Sequence, residues 1–367
     1  MAPACTDGSL IDWTRVQVVE FSMALARVDN PPNPWQSTHI EWVGEPPPAT
    51  LEVYVDHTRE ILSRNDSPDI PFTYSVNPYR GCMHGCSYCY ARPSHEYLSF
   101  GAGTDFDRKI VVKPQAATLL KAAFEKRSWT GELVVFSGNT DCYQPLEASF
   151  RLTRACLEVC LDYRNPVGII TKSPLIERDL DVLTGLAAHG AVTVTVSIPF
   201  ANAAHARAIE PYVPPPARRL EAIRRLAEAG IPVGVNVAPI IPGLNDAEMV
   251  EVLERAYEAG ARRAGTIMLR LPGPVAAVFE ERIRASLPPS RAERILRRVE
   301  EVRGGGRNDP RFGTRMSGEG EYADVVNALF KSTCRRLGYE QRSAEPVPPV
   351  ASPFRRPTEG GGQMRLL

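Results

Sequence analysis

The sequence has no excess of charge of either sign, and it uses lysine sparingly. Lys and Arg together number 43, as do Asp and Glu, and six of the basic residues are lysines. An even balance gives no overall attraction to nucleic acid or to an anionic membrane surface, although a local basic groove is compatible with it. Composition therefore excludes only partners that would be selected by the total charge of the chain.

Long apolar runs are also missing. No run of about eighteen apolar residues occurs, so we expect no transmembrane helix and no membrane partner. The opening residues, MAPACTDGSLIDWTRVQ, lack a basic segment followed by an apolar stretch, so we expect no secretory leader and a cytoplasmic location. In that compartment the eight cysteines are thiols or metal ligands rather than disulfide partners.

The two ends of the chain lack the hydrophobic periodicity of its middle. Residues 1–50 are irregular and proline-rich, and we predict an N-terminal extension there. Residues 341–367 are rich in proline and glycine, which predicts a disordered tail. Residues 51–290 alternate short β-branched runs with amphipathic stretches and predict the main domain. We expect the helical and glycine-rich residues 291–340 to extend over it.

Six strand–helix units follow one another along the main domain. Strands rich in Val and Ile with helical crossovers predict an α/β fold with a parallel sheet, either doubly wound or an incomplete barrel. No GxGxxG motif or P-loop follows the first predicted strand, which argues against a dinucleotide-binding or NTPase fold. In barrel-type folds the functional residues lie at the C-terminal ends of the strands. The residues that follow each strand are therefore the candidates.

Three cysteines follow the first predicted strand. Cys82, Cys86 and Cys89 form a C-x3-C-x2-C arrangement, and thiolates are ligands of zinc and of iron–sulfur clusters. A structural zinc site normally has a fourth Cys or His ligand. His84 and His95 lie nearby, so a Cys3His zinc site is the alternative interpretation. Three ligands alone fit better a [4Fe–4S] cluster with one iron left open for catalysis.

The segment CMHGCSYC, with an aromatic residue directly before its third cysteine, resembles the signature of the radical S-adenosylmethionine (SAM) superfamily. Further segments resemble the bacterial subgroup related to spore photoproduct lyase, also called DNA repair photolyase-like, over about residues 50–340: SVNPYRGCMHGCSYCYARPSHEY, TDCYQPLE, LTRACLEVC, IITKSPL, VAPIIPGLND and DPRFGTRMSGEG. This resemblance implies a partial (β/α)6 TIM-type barrel of the radical SAM type with N- and C-terminal extensions.

The resemblance also implies the cofactors and the reaction class. In the superfamily, three cysteines hold a [4Fe–4S] cluster, and SAM chelates the fourth iron. Reductive cleavage of SAM gives methionine and a 5′-deoxyadenosyl radical, which abstracts hydrogen from a substrate. For this chain the resemblance implies Cys82, Cys86 and Cys89 as ligands and a reductant such as flavodoxin or ferredoxin. Likeness to the lyase adds nucleic acid to the substrate classes, beside a peptide, another enzyme or a small metabolite.

Several strand ends resemble SAM-binding positions of the family. Tyr88 is implied to lie near the adenine, and Asn139, Thr140 and Asp141 offer oxygen acceptors to the SAM ammonium. The alternative for Tyr88 is packing of the cysteine loop. The alternative for the three polar residues is a helix N-cap.

Lys172 is implied to pair with the SAM carboxylate, and Ser197 and Asn236 to contact the ribose. For Lys172 the alternative is a solvated surface lysine. For Ser197 the alternative is a small side chain that packs tightly inside the barrel. Asn236 is a candidate because a buried amide needs partners.

Two further residues are candidates for catalysis. Tyr90 corresponds to tyrosines near the substrate in the lyase, with loop packing as the alternative. Cys142 is a candidate hydrogen-atom donor. It lies a few residues beyond the position of the lyase's donor cysteine, however, and the subgroup's expected residue there is proline. This departure leaves a neutral small residue as the alternative.

The C-terminal motif and the last predicted strand add charged candidates. The motif resembles that of the subgroup, and folding over the barrel mouth would let Arg311 and Arg315 bind a phosphate or carboxylate; the alternative is an ordered surface turn. Arg270 ends the sixth predicted strand, where it would face the substrate or close the mouth.

A second function from another class is a non-catalytic iron–sulfur or zinc-binding protein with a binding or sensing role. The set of polar strand ends behind the cysteines argues against it.

Overall fold

The computed structural model describes residues 50–340 and 351–357. Its strands are β1 (Glu52–Val55), β2 (Leu62–Arg64), β3 (Tyr74–Val76), β4 (Tyr79–Arg80), β5 (Lys109–Val112), β6 (Val134–Phe136), β7 (Val167–Thr171), β8 (Val192–Ser197), β9 (Val233–Ile240) and β10 (Arg263–Met268). Its α-helices are α1 (Thr104–Arg108), α2 (Ala116–Glu125), α3 (Glu147–Phe150), α4 (Leu152–Asp162), α5 (Leu180–Ala187), α6 (Ala203–Ile209), α7 (Pro216–Glu228), α8 (Met249–Glu258), α9 (Val275–Ser286), α10 (Pro289–Glu301), α11 (Thr314–Ser317) and α12 (Glu321–Leu337).

The main sheet has the strand order β10-β9-β8-β7-β6-β3-β2. Its first six strands pair in parallel, and β2 pairs with β3 in antiparallel fashion. Helices connect the successive parallel strands. The predicted alternation is therefore confirmed, and the fold is a partial (β/α)6 TIM-type barrel. The strands β10 and β2 are the two edges of this sheet.

The core lies between the sheet and its helices. The strands β7, β8 and β9 read VGIIT, VTVTVS and VGVNVAPI, and β-branched side chains favour this extended, buried conformation. The helices cover the sheet with buried leucine and isoleucine side chains, among them Leu157, Leu183, Ile223 and Leu253. Burial on both sides is what parallel strands require.

The segment predicted as the first strand, TYSVNPYR (residues 73–80), divides between two sheets. Tyr74–Val76 joins the main sheet, whereas Tyr79–Arg80 joins a three-stranded sheet with the order β1-β5-β4. The four residues of β5, KIVV, were not predicted as a strand because so short a run has no distinctive period. The chain thus leaves the main sheet just before Cys82, and the cysteine loop begins at that point.

The run ASFRLTRACLEVCLDYR, residues 148–164, predicts a single helix, but the structure has two helices there, α3 and α4. Arg151 between them has a left-handed backbone, with φ of 53°. The buried Glu147 carboxylate accepts hydrogen bonds from the backbone N–H groups of Thr153 (2.9 Å) and Arg154 (3.2 Å). Glu147 therefore satisfies the free N–H groups at the start of α4, which makes the break favourable.

Part of the predicted tail is packed against the barrel. Phe354 lies against Phe124 and Tyr163, with ring centroids 6.1 Å and 6.2 Å apart. Arg356 donates hydrogen bonds to the carbonyls of Phe124 and Lys126. The prediction of disorder is therefore wrong for residues 351–357.

Other predictions for the chain ends concern parts that the structure leaves undescribed. Residues 1–49, 341–350 and 358–367 lie outside the described residues. In the parts that are described, no helix is long and apolar enough to cross a membrane.

Candidate active site

A cavity of about 490 Å³ opens at the C-terminal ends of the barrel strands. This volume is typical of small-molecule sites. Its lining contains the predicted metal-binding and cofactor-binding residues together with Tyr90: Cys82, Cys86, Cys89, Tyr88, Asn139, Thr140, Asp141, Lys172, Ser197 and Asn236. The fold thus brings residues from widely separated strands to one place.

The three thiols fit an iron–sulfur cluster by their chemistry. Cys82 and Cys86 are buried, Cys89 is half-buried, and all three are free thiols that line the cavity. Among the described residues, no group of three or more His, Cys, Asp or Glu side chains is arranged to hold a single metal ion. A [4Fe–4S] cluster binds its thiolates through different irons, so its ligands surround a space rather than converge on one point.

Burial makes two of the cysteines, Cys86 and Cys89, reluctant to ionise without a metal. It raises the pKa of Cys89 to about 11 and raises the pKa of Cys86 well above its usual range. Metal binding deprotonates a coordinating thiol, so cluster assembly at this site would release protons.

Arg92, just after the cysteine loop, is buried and holds the loop in place. Its Nε and Nη2 donate hydrogen bonds to the Cys86 carbonyl at 3.1 Å and 2.9 Å. Its Nη1 donates to the Ala102 carbonyl, and its Nη2 pairs with the Asp107 carboxylate at 3.0 Å. Sequence reasoning missed Arg92, because arginine in a loop is usually exposed.

Gln144 fixes the cysteine loop to the segment that follows β6. Its Oε1 accepts a hydrogen bond from the Met83 backbone N–H at 3.0 Å, and its Nε2 donates to the Gly81 carbonyl at 3.1 Å. Gly81 has φ of 76°, and a Cβ there would lie 2.9 Å from His95 and from the Phe106 carbonyl. This entry into the loop therefore requires glycine.

Asp141 makes its contacts with the protein itself. Its Oδ1 accepts hydrogen bonds from the Thr171 hydroxyl (2.7 Å) and the Tyr143 N–H (2.9 Å). Its Oδ2 accepts one from the Lys172 N–H at 2.8 Å and lies 3.4 Å from His84 Nδ1. Burial alone would raise the pKa of Asp141. The charge of His84 and these hydrogen bonds outweigh burial and lower that pKa to about 2. Asp141 thus ties the β6 and β7 strand ends together.

The two polar residues before it also make contacts within the site. The Thr140 hydroxyl donates to the Tyr79 carbonyl at 2.8 Å, and the Asn139 side-chain amide donates to Ser94 Oγ at 3.3 Å. The N-cap of α3 is Leu146, which makes no side-chain capping bond. The helix-cap alternative for residues 139–141 is therefore wrong.

Tyr88 belongs to a buried chain of polar contacts. Its hydroxyl donates to the Glu210 carboxylate, which pairs with Arg219 Nη2 at 2.6 Å. Arg219 Nη1 donates to the Ser197 carbonyl at 3.0 Å. Glu210 and Arg219 were missed from the sequence, since nothing in their local pattern marks them as buried. This chain fixes the Tyr88 ring and the end of β8 relative to each other.

Lys172 places a cation beside the cysteines. Its Nζ lies 5.9 Å from the centroid of the Tyr88 ring. Burial lowers the pKa of Lys172, but Cys86, in the thiolate form that a metal ligand takes, and then the Glu210 carboxylate raise it above its usual value. The half-buried ammonium group therefore stays charged.

Asn236 reaches the cavity from β9 and requires space on the neighbouring strand. A Cβ added at Gly265 of β10 would lie 2.9 Å from Asn236 Oδ1. The two residues are partners in the β9–β10 register. Glycine at 265 therefore leaves the room that the Asn236 side chain occupies.

The two catalytic candidates lie in different environments. Tyr90 is 53% exposed at the cavity mouth, and its hydroxyl donates to the Gly138 carbonyl at 2.9 Å. Cys142 is 1% exposed within the main core and is not among the cavity-lining residues. The structure therefore brings Tyr90, and not Cys142, to the cavity.

The C-terminal motif lies over the barrel mouth, where Met316 lines the cavity. Arg311 pairs with Asp309 (2.9 Å) and Glu319 (2.8 Å), and Arg315 pairs with Asp69. Both arginines expected to bind an anion are thus neutralised by the protein.

Comparison with known proteins supports the sequence interpretation. Residues 76–256 match the family model of the radical SAM superfamily. An uncharacterized protein of Mycobacterium tuberculosis H37Rv is 37% identical over 212 residues, which cover 57% of this chain and 62% of the relative. An uncharacterized protein of Methanocaldococcus jannaschii is 32% identical over 177 residues, covering 48% of this chain and 64% of the relative. The chain thus spans less than two thirds of the length of these relatives.

Solved structures of spore photoproduct lyase share the fold. The lyase complexed with dinucleoside spore photoproduct has a TM-score of 0.55 at 20% identity, covering 79% of this chain and 81% of that chain. A cysteine-to-alanine mutant with the same ligand has a TM-score of 0.53 at 19% identity, covering 79% and 80%. Identity this low shows the fold alone. Residues 76–256 are thus a domain of the radical SAM superfamily, and the chain has a spore photoproduct lyase-like fold.

Proposed function

We propose that Cys82, Cys86 and Cys89 bind a [4Fe–4S] cluster and that SAM binds beside it in the 490 Å³ cavity. When bound, these cofactors would supply the reductive cleavage of SAM to a 5′-deoxyadenosyl radical and hydrogen abstraction from a substrate. The observation that carries the proposal is the convergence of the three-cysteine loop and the polar strand ends on one cavity.

In this proposal, protein side chains bind and orient SAM. Lys172 is charged and half-buried beside the cysteines, which suits a carboxylate partner. The Tyr88 ring, fixed through Glu210, offers a flat apolar face to the adenine. Asn139 and Asn236 line the cavity and offer amide groups to the SAM ammonium and ribose.

Thr140 and Asp141 act mainly as positioning residues in this proposal. Their side chains hydrogen-bond to Tyr79 and to the β7 strand end, so each stiffens the wall that faces SAM. Tyr90, exposed at the mouth, would contact the substrate. A low-potential reductant such as flavodoxin or ferredoxin would supply the electron.

Nucleic acid is the first substrate class to test. The support is the likeness in fold to the lyase bound to dinucleoside spore photoproduct, which is an argument by analogy. DNA that carries thymine dimers, with deuterium placed at the reacting carbon, would reveal hydrogen transfer to 5′-deoxyadenosine.

The test of the cofactor chemistry starts with anaerobic reconstitution with iron and sulfide. Dithionite and SAM are then added, and 5′-deoxyadenosine is measured. We expect a brown protein that cleaves SAM, and Cys86→Ala should lose both the chromophore and the cleavage. Cys334→Ala is the matched control, because Cys334 is a buried thiol on α12 outside the cavity lining.

Lys172→Met tests SAM binding separately from cleavage. Loss of a charged hydrogen-bond partner should weaken SAM binding about tenfold, measured by equilibrium binding to the reconstituted protein. One bound zinc with no iron, and no 5′-deoxyadenosine, would instead support the non-catalytic zinc-binding alternative. A full cluster in Cys86→Ala would contradict the ligand assignment.

A further inference from the structure

Arg270 follows β10 and lines the cavity with an incompletely paired guanidinium group. Its buried Nε has no hydrogen-bond partner among the described residues. Its Nη1 lies 3.7 Å from the Met316 sulfur, which is a weak acceptor. A guanidinium has five N–H donors, and a poorly paired one inside a protein is costly. Such a group therefore suggests a missing anionic partner.

The neighbouring charges do not neutralise Arg270. Asp69 attracts it, but that carboxylate forms its ion pair with Arg315 and also accepts a hydrogen bond from the Gly313 N–H at 2.8 Å. Burial, and then the positive charge of Arg315, lower the pKa of Arg270. Arg303, a further cation nearby, donates to the Met268 and Leu269 carbonyls. Asp309 and Glu319 face Arg303, so among the described residues Arg270 is left here without a carboxylate of its own.

Arg270 lies apart from the cation assigned to the SAM carboxylate. Lys172 follows β7 and Arg270 follows β10, and the strands β8 and β9 lie between them. Three strand spacings correspond to about 14 Å along the sheet. The lining near the two cations includes the apolar Ile170, Ile267 and Leu269, while the strands between them contribute the polar residues Thr195 and Asn236. The two cations therefore start from different strand ends, which allows each of them to bind an anion of its own.

We propose that Arg270 binds an anionic group of the substrate, a phosphate or a carboxylate, while the apolar body of that substrate fills the cavity between Arg270 and SAM. This inference rests on the proposed function, because it places the substrate beside SAM. The planar guanidinium fork matches both anions, since each presents two oxygens to parallel N–H donors. Arg311 and Arg315 are already paired with protein carboxylates, so Arg270 is the arginine that binds the anionic group.

Calorimetry tests the site by measuring how tightly small probes bind to the reconstituted, SAM-saturated protein. The probes are phenyl phosphate, benzoate and neutral benzyl alcohol. We expect at least one anion to bind more tightly than the alcohol, and the tighter anion identifies the substrate's group. Arg270→Met should weaken that binding about tenfold or more. Arg270→Lys keeps the charge but loses the fork, so its affinity should be intermediate.

Arg224→Met is the matched control, because it removes the same charge from an exposed position on α7. It should bind the probes as the wild type does. Removal of a buried, poorly paired charge should leave the melting temperature of Arg270→Met equal to or above that of the wild type. Clear destabilisation would show that Arg270 serves folding and would overturn the inference.

Two further outcomes separate this inference from the proposed function. A wild-type protein that cleaves SAM but binds neither anion better than the alcohol would overturn the anion site alone. Anion binding that depends on Arg270 without any SAM cleavage would support the site and overturn the proposed function. Weaker SAM binding by Arg270→Met would assign Arg270 to the SAM carboxylate and overturn the inference.

Discussion

Arg315 forms an ion pair with Asp69, although 246 residues separate them in the sequence. Both side chains are largely buried, and the Gly313 N–H also donates to the Asp69 carboxylate. Asp69 lies between β2 and β3, while Arg315 belongs to the motif that contacts β10. Since β2 and β10 are the edges of the main sheet, this pair joins the two sides of the partial barrel.

Breaking this pair should release the C-terminal motif from the mouth. Arg315→Met leaves Asp69 without its cation, so we expect faster hydrogen exchange in residues 309–318 and unchanged exchange in β7 and β8. Asp69→Asn should give the same pattern, and the double variant should add little to either one. Independent, additive effects of the two substitutions would show that the pair does not couple the segments.

The ion pair between Glu210 and Arg219 should contribute more stability than the Tyr88 hydroxyl that contacts it. Glu210→Gln leaves the buried Arg219 charge unpaired, at a cost of about 3–5 kcal/mol in the free energy of unfolding. Tyr88→Phe leaves the ion pair intact and should cost about 1–2 kcal/mol. Urea unfolding at pH 7 measures both. An equal loss in the two variants would contradict this ranking.

Cys142→Ala tests whether this thiol takes part in catalysis. Because Cys142 is buried in the core, the substitution should cost about 1 kcal/mol of stability and leave SAM cleavage within about twofold of the wild type. Tyr90→Phe is the comparison at the cavity mouth. If Cys142→Ala keeps SAM cleavage but alters the products formed from an identified substrate, Cys142 is a hydrogen donor after all.

His95 should make the stability depend on pH between about 6.5 and 4. Burial against Phe100 and Phe106 lowers the pKa of His95 to about 4, whereas an unfolded histidine has a pKa of 6.5. As pH falls through this window the unfolded chain gains a proton that the folded chain does not, so stability is lost.

Relative to His95→Gln, the wild type should lose about 2 kcal/mol more between pH 7.5 and 5. Urea unfolding across this range measures the difference. Parallel pH profiles of the two proteins would show that His95 is accessible to protons when folded. The ring of His95 packs against Phe100 and Phe106, and its Nε2 lies 2.8 Å from the Lys109 carbonyl, which indicates a structural role.

The sequence predicted those parts of the site whose signals lie within short segments of the chain. The cysteine spacing and the polar residues that end β6 and β7 lie within short segments, so they predicted which side chains would line the cavity. Contacts such as Arg92 with Asp107 or Gln144 with Gly81 have no sequence pattern. The short strand β5 was missed for the same reason, since a strand of four residues has no readable period.

The sequence by itself determined the strand–helix alternation and the three-cysteine loop, because hydrophobic periodicity and ligand spacing are properties of neighbouring residues. Only the tertiary structure decided which charges are neutralised. From the sequence, Arg311 and Arg315 were the candidates to bind an anion, yet Asp309, Glu319 and Asp69 neutralise both of them. Ion pairing between distant residues depends on where the fold brings each carboxylate, and that left Arg270 at the cavity.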